Sequence, residues 1–472
     1  MSRKYDAVIV GSGPNGLAAA ITIAQAGCSV LVIEAQDEVG GGAQSAELTL
    51  PGFTHDVFSA VHPLAHESVF FQSLPLEQYG LDWIHSPGAF AHPLDDGTAV
   101  LLRRDVGETA AGLGCDEQKY RQWFNDLLKD WPYYKSEFLR PLRFPRHPLR
   151  LAKFGLPALL PAATLARLAF RDQRARALFA GVSAHSTLPL SAMGSGAFGL
   201  MLMLAGHNVG WPIPRGGARS ISQALAAYLK SLGGEIVTGT KVLNFTQIPP
   251  ARTVLFDLTP RQVLAIAGEK LGPGFTRKLR RYRYGAGVFK LDWALRGAIP
   301  WKAHETASAI TVHLGGTLDE IALSEGDVAA GRISDRPYVL LVQSSLFDAT
   351  RAPTGCHTAW AYCHVPNGST VDMTERIESQ IERFAPGFRE LILAKNVLSP
   401  AKLELRNANL VGGDINGGSV YLPQLFLRPT ARLYSTSRSD VFLCSSSTPP
   451  GGGVHGLCGY YAALEALRGI LK

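Results

Sequence analysis

Near the amino terminus, Gly11-Ser12-Gly13-Pro14-Asn15-Gly16 sets three glycines at the spacing of a phosphate-cradling turn, and Glu34 follows 23 residues after Gly11. Gly11 permits a tight turn, Gly13 lets the backbone approach a pyrophosphate, and Gly16 allows a helix to pack closely on a strand. Pro14 and Asn15 belong to the same contact, at a helix start whose free N–H groups and dipole favour an anion. Glu34 can accept hydrogen bonds from ribose hydroxyls, which disfavours a 2′-phosphate. The chemistry that fits is the binding of a dinucleotide.

The elements that must position these residues stand in register around them. Tyr5 to Val10 is a short β-rich apolar run, an Ala-rich helix follows and ends at Gly27, and Ser29 to Ile33 is a second strand with Glu34 at its end. A lone Gly-x-Gly-x-x-Gly is weak evidence; the complete strand–turn–helix–strand–acid series is not. Gly41, Gly42 and Gln44 lie in a second glycine-rich turn, Val39 to Ser45, which a simple NAD-binding unit does not need. A third lies near the carboxyl end. There, strand Val441 to Cys444 leads through a loop into a helix opening near Gly452–Gly459, with Gly452, Gly453 and Val454 as cofactor contacts. A strand is expected over Glu235 to Val242, and another apolar strand, TVLFDL, begins eleven residues after Val242.

Composition bounds the classes. A chain of 472 residues exceeds one ordinary core, and 46% hydrophobic residues exclude disorder. The 18% of charged residues is low, so much of the chain is buried or faces an apolar ligand or a membrane. The net charge of +7 is local: Arg140 to Arg176 holds nine Lys/Arg against Asp172, leaving 37 bases and 38 acids elsewhere. A shorter basic cluster runs from Arg277 to Arg283, and neither cluster carries a nucleic-acid recognition motif. Six scattered cysteines with no C-x-x-C pair argue against a dithiol centre or zinc ribbon and fit a reduced, cytoplasmic setting. No signal-peptide core follows Met1, and no apolar run reaches the roughly 18 residues of a membrane span. Ala197 to Gly206 is read as a buried or ligand-lining segment.

These motifs together resemble the glutathione-reductase-like flavoproteins that include amine oxidases, and most closely their phytoene desaturase-like branch. The nearer likeness is carried by Leu50 to Ala65, Pro212 to Leu225, Tyr282 to Leu295, His357 to Ser369, Val411 to Gly418 and the turn STPPGGGVHG before the last helix. It implies one non-covalent FAD per chain, with Val242 presenting its backbone to the adenine. Relatives often carry Gly-Gly-Arg after the acid; Gly41-Gly42-Ala43-Gln44 does not, so that charged phosphate contact is not carried over. No second dinucleotide fingerprint follows, so no stable NAD(P) site is expected.

A flavin brings the redox chemistry itself, and a catalytic base is optional. His455, at the helix start expected to face the flavin pyrimidine, is one candidate, with hydrogen bonding inside the turn as the plainer role. Asp56 and His62 are further candidates, because Gly52 to His66 resembles the segment that passes under the flavin; a structural loop role competes for each. His62 and His66 have metal-like spacing, but Pro63 intervenes and no third ligand is evident, so no metal is expected. Lys290 is read as a strand lysine that could project into a cavity, and Arg215 as helix-entry or phosphate contact.

The expected fold is α/β: a Rossmann-type, glutathione-reductase-like FAD domain assembled from residues 1–75, 212–290 and 405–472. An α+β substrate domain is expected from 76–211 and 291–404, with antiparallel strands within 306–316, 336–345 and 357–365 and helices over 117–130 and 161–180. The likeness implies a FAD-dependent dehydrogenase or desaturase acting on a hydrophobic, isoprenoid- or lipid-like small molecule. Two alternatives stand beside it: amine-oxidase-like C–N oxidation, and a non-catalytic flavoprotein serving as an interaction platform. Residues 149–170, apolar with flanking arginines, suit either an anionic membrane surface, making the chain peripheral, or internal packing in the substrate domain. No nucleic acid is expected as partner, and nothing in the sequence sets an oligomeric state.

Overall fold

The computed structural model describes residues 5–472, so residues 1–4 of the expected 1–75 segment lie outside the described residues. Two sheets organise the chain. The first is parallel and five-stranded, in the order Val441–Leu443, Ala251–Phe256, Tyr5–Val10, Val30–Ile33, Glu235–Val237. Its central strands are almost continuously buried, as a sheet covered on both faces requires. Helix Pro14–Gln25 packs between Leu457–Arg468 and Arg219–Ser231. Its contact with the carboxyl-terminal helix is backbone against backbone: a β-carbon on Gly459 would fall on the Asn15 carbonyl oxygen. That contact brings the first and last glycine turns of the sequence together.

The second sheet has seven strands in the order Ile392–Leu398, Gly287–Leu295, His357–Val365, Val339–Val342, Ala309–Leu314, Gly88–Pro93, Ala99–Arg103. All neighbours are antiparallel except Ala309–Leu314 beside Gly88–Pro93. The three stretches expected as strands are adjacent here. Strand Gly287–Leu295 crosses residue 290, where the sequence suggested a boundary.

Two expectations about elements need correction. Residues 161–180 form two helices, Ala162–Ala169 and Gln173–Ser183, not one. The Asp116 carboxylate accepts the N–H groups of Arg171 and Asp172 at 2.7 and 2.6 Å, and the Asp172 side chain caps the second helix through Arg174 N–H. Those bonds hold the break and let the Phe170 ring bury itself, while Pro161 stands just outside the first helix. The strand expected over Glu235 to Val242 stops at Val237. Gly239 turns at φ +65° and Thr240 N–H reaches back to Glu34 O, so the chain crosses the end of the second strand instead of extending it.

Among the described residues no single helix is long and apolar enough to cross a membrane. Helices Pro148–Leu159 and Ala162–Ala169 together have the length and composition, but they are bent by 107°.

Candidate active site

A cleft of about 550 Å³ runs from the carboxyl ends of the parallel strands to one face of the seven-stranded sheet. At the parallel-sheet end, Gly11, Gly13, Pro14, Asn15, Glu34, Gly41, Gly42, Gln44, Val242 and Asp257 line it, and Gly452, Gly453 and Val454 close it from the carboxyl-terminal turn. The sequence thus predicted most of this wall. Gly16 lies just behind it: a β-carbon there would overlap the Gly11 carbonyl oxygen.

Backbone forms much of the surface. A β-carbon on Gly13 would lie 2.5 Å from Asp257 Oδ2 and 3.8 Å from Gly41 Cα, and one on Gly41 would lie 2.7 Å from Gly13 Cα. Gly13 has φ −63°, so its glycine is required by crowding and not by backbone strain. Glu34 accepts Ser12 N–H at 2.8 Å, Ser12 Oγ–H at 2.6 Å and Gln36 N–H at 3.0 Å. A carboxylate offers about four acceptor positions, so one remains for a hydroxyl. The Asn15 amide is buried at the helix start with Oδ1 unpartnered, as expected of a group awaiting a ligand. Glycine cradle, helix start, acid and unpartnered amide fit a dinucleotide.

Asp257, which sequence reasoning passed over, sits one residue beyond strand Ala251–Phe256 and accepts Gly16 N–H at 2.9 Å. Burial pushes its pKa up to about 8, aided by the charge of Glu34 and opposed by the Gly16 and Gly13 N–H groups. An acid closing an apolar strand, as Glu34 does, was the available signal.

Two catalytic candidates are not at the cleft. His455 points into its own turn: Nδ1 accepts Leu457 N–H at 3.0 Å, and the ring packs against Gly453. Burial holds its pKa down to about 4. Asp56 is an internal anchor, accepting Ser45 Oγ–H and Ala218 N–H at 2.7 Å and ion-pairing with buried Arg351 at 3.0 Å. These bonds hold the 45–56 hairpin to the start of helix Arg219–Ser231 and to Arg351. Arg215 is also away, paired to Asp82 at 2.6 Å. His62 does line the cleft. Its backbone N–H is held by Pro212 O, its Nε2 has no partner, and burial holds its pKa down to about 4. His66 turns instead toward Trp83 and His85.

The other end is built by the pleat of the second sheet. Side chains two apart share a face, so Val288 and Lys290, Leu340 and Val342, and Trp360 and Tyr362 all face the cleft with Thr311. The register pairs Lys290 with Tyr362, Tyr362 with Leu340, Trp360 with Val342, and Val342 with Thr311. Phe198, Met201 and Leu202 from helix Ser195–Val209 complete an apolar chamber with Trp211 and His185. Lys290 is ion-paired to Asp292 and stands 5.0 Å from the Trp360 ring centre; burial lowers its pKa.

The basic stretch is less free than its composition suggests. Arg143, Arg150, Arg167 and Arg174 pair with Glu137, Asp130, Asp319 and Asp96. Arg146 and Lys153 are exposed, as are Phe144, Leu149 and Leu156 at 85%, 88% and 69%.

Comparison with known proteins agrees with this geometry. Residues 9–70 match the family model of an NAD(P)-binding Rossmann-like domain. The whole chain aligns with 94% of the Rattus norvegicus pyridine nucleotide-disulfide oxidoreductase domain-containing protein 2 at 27% identity. Half of it aligns with 49% of the Cereibacter sphaeroides hydroxyneurosporene desaturase at 32%. In fold, 99% of the chain superposes on all of a putrescine oxidase solved with putrescine, with TM-score 0.63 and 16% identity. The last likeness shows the α/β Rossmann-type fold alone.

Proposed function

We propose that this chain is a phytoene desaturase-like FAD-dependent oxidoreductase and that it dehydrogenates a hydrophobic small molecule, isoprenoid- or lipid-like. FAD supplies hydride acceptance at its N5. The reading assigns Gly11 to Gly16 and the helix start to the phosphates, Glu34 to the ribose, Val242 to the adenine side and Gly452 to Val454 to the pyrimidine side. Residues 5–75, 212–286 and 405–472 then make the glutathione-reductase-like cofactor unit, and 76–211 and 287–404 the α+β substrate unit.

The observation that carries the substrate class is the continuity of the cofactor end with a chamber of Phe198, Met201, Leu202, Leu340, Val342 and Trp360. Such a lining orders a substrate by shape and excludes water, with His62, His185, Lys290 and Tyr362 as its ionisable groups. Lys290, tied to Asp292, has no free charge to offer an anionic substrate.

One observation bears on the amine-oxidation reading. Trp360 and Tyr362 are nearly parallel, at 16°, in the cleft wall beside Lys290. Their centres are 5.8 Å apart. A substrate carbon held between two ring faces needs roughly 7 Å, twice a carbon–carbon contact. The pair is a wall and not a clasp, which favours the first reading.

Anaerobic titration of the FAD-loaded protein decides between them. Bleaching of the flavin by an apolar polyene or isoprenoid, with aliphatic amines inert, is expected; the reverse order would replace desaturation with amine oxidation. Bleaching by neither, together with no co-purifying lipid by mass spectrometry, would leave the platform reading. We further assign exposed Phe144, Leu149 and Leu156, with Arg146 and Lys153, to peripheral contact of a cytoplasmic protein with an anionic membrane.

A further inference from the structure

The turn that brings His185 to the cleft is strained. Thr187, just past the short helix Ala184–Ser186, has φ +56°, a left-handed conformation that a β-branched residue rarely takes. Its hydroxyl accepts from Asn416 Nδ2 at 3.1 Å, and Asn416 lines the cleft as well. Strain of this kind persists only where the surrounding structure imposes it, and it gathers at ligand sites. Here it accompanies a half-buried His185 ring that meets Trp211 edge-on, with centres 5.2 Å apart. His185 Nε2 lies 2.8 Å from Nε2 of His313, which is fully buried among Phe90, Trp211 and Tyr338. The Nδ1 of His313 has no partner. An imidazole in such a core costs stability, and what it supplies is a fixed orientation for the ring in front of it.

The second nitrogen of His185, Nδ1, makes no hydrogen bond among the described residues. In the chamber wall, the sheet row Thr311–Val342–Trp360 adds two more polar atoms without partners, Thr311 Oγ1 and Trp360 Nε1. A chamber otherwise lined by carbon thus keeps hydrogen-bonding atoms that the protein leaves unpaired. Ring chemistry narrows the partner that His185 fits. Burial, aided by the charge of His364, holds its pKa down to about 3, so the ring is neutral and offers an anion no charge. One proton lies between the two Nε2 atoms. If His185 donates it, Nδ1 is an acceptor; if His313 donates it, Nδ1 carries the hydrogen. A hydroxyl, donor and acceptor at once, pairs with either form. A carbonyl pairs with only one, and a hydrocarbon would dry the nitrogen without replacing its water.

We propose that His185 is a specificity-determining contact for a hydroxyl group, and that the substrate is an isoprenoid- or lipid-like alcohol and not a pure hydrocarbon. The inference rests on the reading that the chamber takes a hydrophobic small molecule. His313 acts through His185 as a positioning residue. A site built to hydrogen-bond a hydroxyl rejects the analogue that lacks it, because its own polar atom is then left dry and unpaired.

The test is a ratio of affinities. FAD-loaded, full-length protein is equilibrated anaerobically with geraniol, or with the diene that has hydrogen in place of its hydroxyl, and free ligand is read in the headspace. The wild-type ratio of geraniol to diene affinity is the reference, because water itself holds the alcohol more strongly. In His185→Phe that ratio should fall about tenfold, as loss of one hydrogen bond to a desolvated group implies, with diene affinity kept. His185→Gln, whose amide both donates and accepts, should recover part of it. His185→Phe leaves His313 Nε2 unpaired, so His185→Phe with His313→Leu is measured beside it and decides should the single variant not fold. In wild type carrying nitrogen-labelled histidine, geraniol and not the diene should shift the Nδ1 resonance that His185→Gln removes. Both probes bound at an unchanged ratio in the variants, or an Nδ1 resonance indifferent to geraniol, would refute the anchor and leave the hydrophobic-substrate reading standing. A wild type that binds neither probe would remove that reading, and the anchor with it.

Discussion

Asp257→Asn should stabilise the protein, and by more as pH rises. The buried carboxyl has a pKa raised from 3.8 to about 8, burial being the largest cause and the Glu34 charge adding to it. The thiols of Cys444 and Cys458 also feel its charge and stay protonated, burial pushing both pKa values up. Above pH 3.8 the unfolded chain ionises this carboxyl, while the folded chain keeps its proton until about pH 8. The unfolded state then binds fewer protons, so stability falls with rising pH across that window and levels beyond it. About four units at roughly 1.4 kcal/mol each amount to about 6 kcal/mol by pH 8. Asparagine cannot ionise, and its oxygen can still accept Gly16 N–H.

The size of the effect in a melting experiment follows from chain length. For 472 residues at about 2.1 cal/mol/K each, the melting entropy is roughly 1 kcal/mol/K. The Tm advantage of Asp257→Asn should therefore widen by about 4 °C between pH 5 and pH 8, then stay constant to pH 9. Tryptophan-monitored melting of flavin-free wild type and variant measures it. A gap that is flat or shrinks over that range would mean that the carboxyl is already ionised in the fold, and the reasoning would fail.

Gly13→Val should abolish flavin content, read as the flavin-to-protein ratio after gel filtration, because the side chain would enter the 2.5 Å gap to Asp257 and close the approach to Gly41. NADH and NADPH should bleach the bound flavin poorly under anaerobic conditions, since the one dinucleotide fingerprint is taken by FAD; fast saturable bleaching would reveal a missed nicotinamide site. Arg146→Gln with Lys153→Gln should weaken sedimentation with anionic vesicles, each unpaired base being worth on the order of 1 kcal/mol, whereas Arg143→Gln and Arg150→Gln should matter less because Glu137 and Asp130 already neutralise those residues. Wild-type protein that ignores anionic vesicles at low salt would remove the membrane assignment.

The cofactor half of the cleft was legible because its signal is local. Gly11 to Glu34 holds turn, helix, strand and acid within one stretch, and the carboxyl-terminal turn announced itself by its glycines. Residues whose role depends on a distant partner were not legible. Asp56 looked like a candidate base beside His62 until Arg351, 295 residues away, took its second oxygen. Asp257 reaches Gly16 across 241 residues. The charge of residues 140–176 looked free because the acids that pair with it, Glu137, Asp130, Asp319 and Asp96, all lie outside the stretch. His455 was correctly placed at a turn, but the direction of its ring is set by Gly453 at φ +121° and Gly456 at φ +69°, which spacing does not convey.

The substrate half is harder to read for a different reason. Four strands of the seven-stranded sheet lend it only one or two side chains each, and alternation shows which residues share a face without showing what that face looks at. Once register is known, a single face accounts for more than the chamber. His313 lies two residues beyond Thr311 on strand Ala309–Leu314, and His92 lies two beyond Phe90, which pairs with Thr311 in the register. The pleat that turns Thr311 to the cleft therefore turns His313 and His92 to the same side of the sheet, deeper under helix Gln173–Ser183, where Gly181 leaves room for both rings. A one-residue slip of that strand would remove the chamber wall and turn His313 and His92 away from their shared face together.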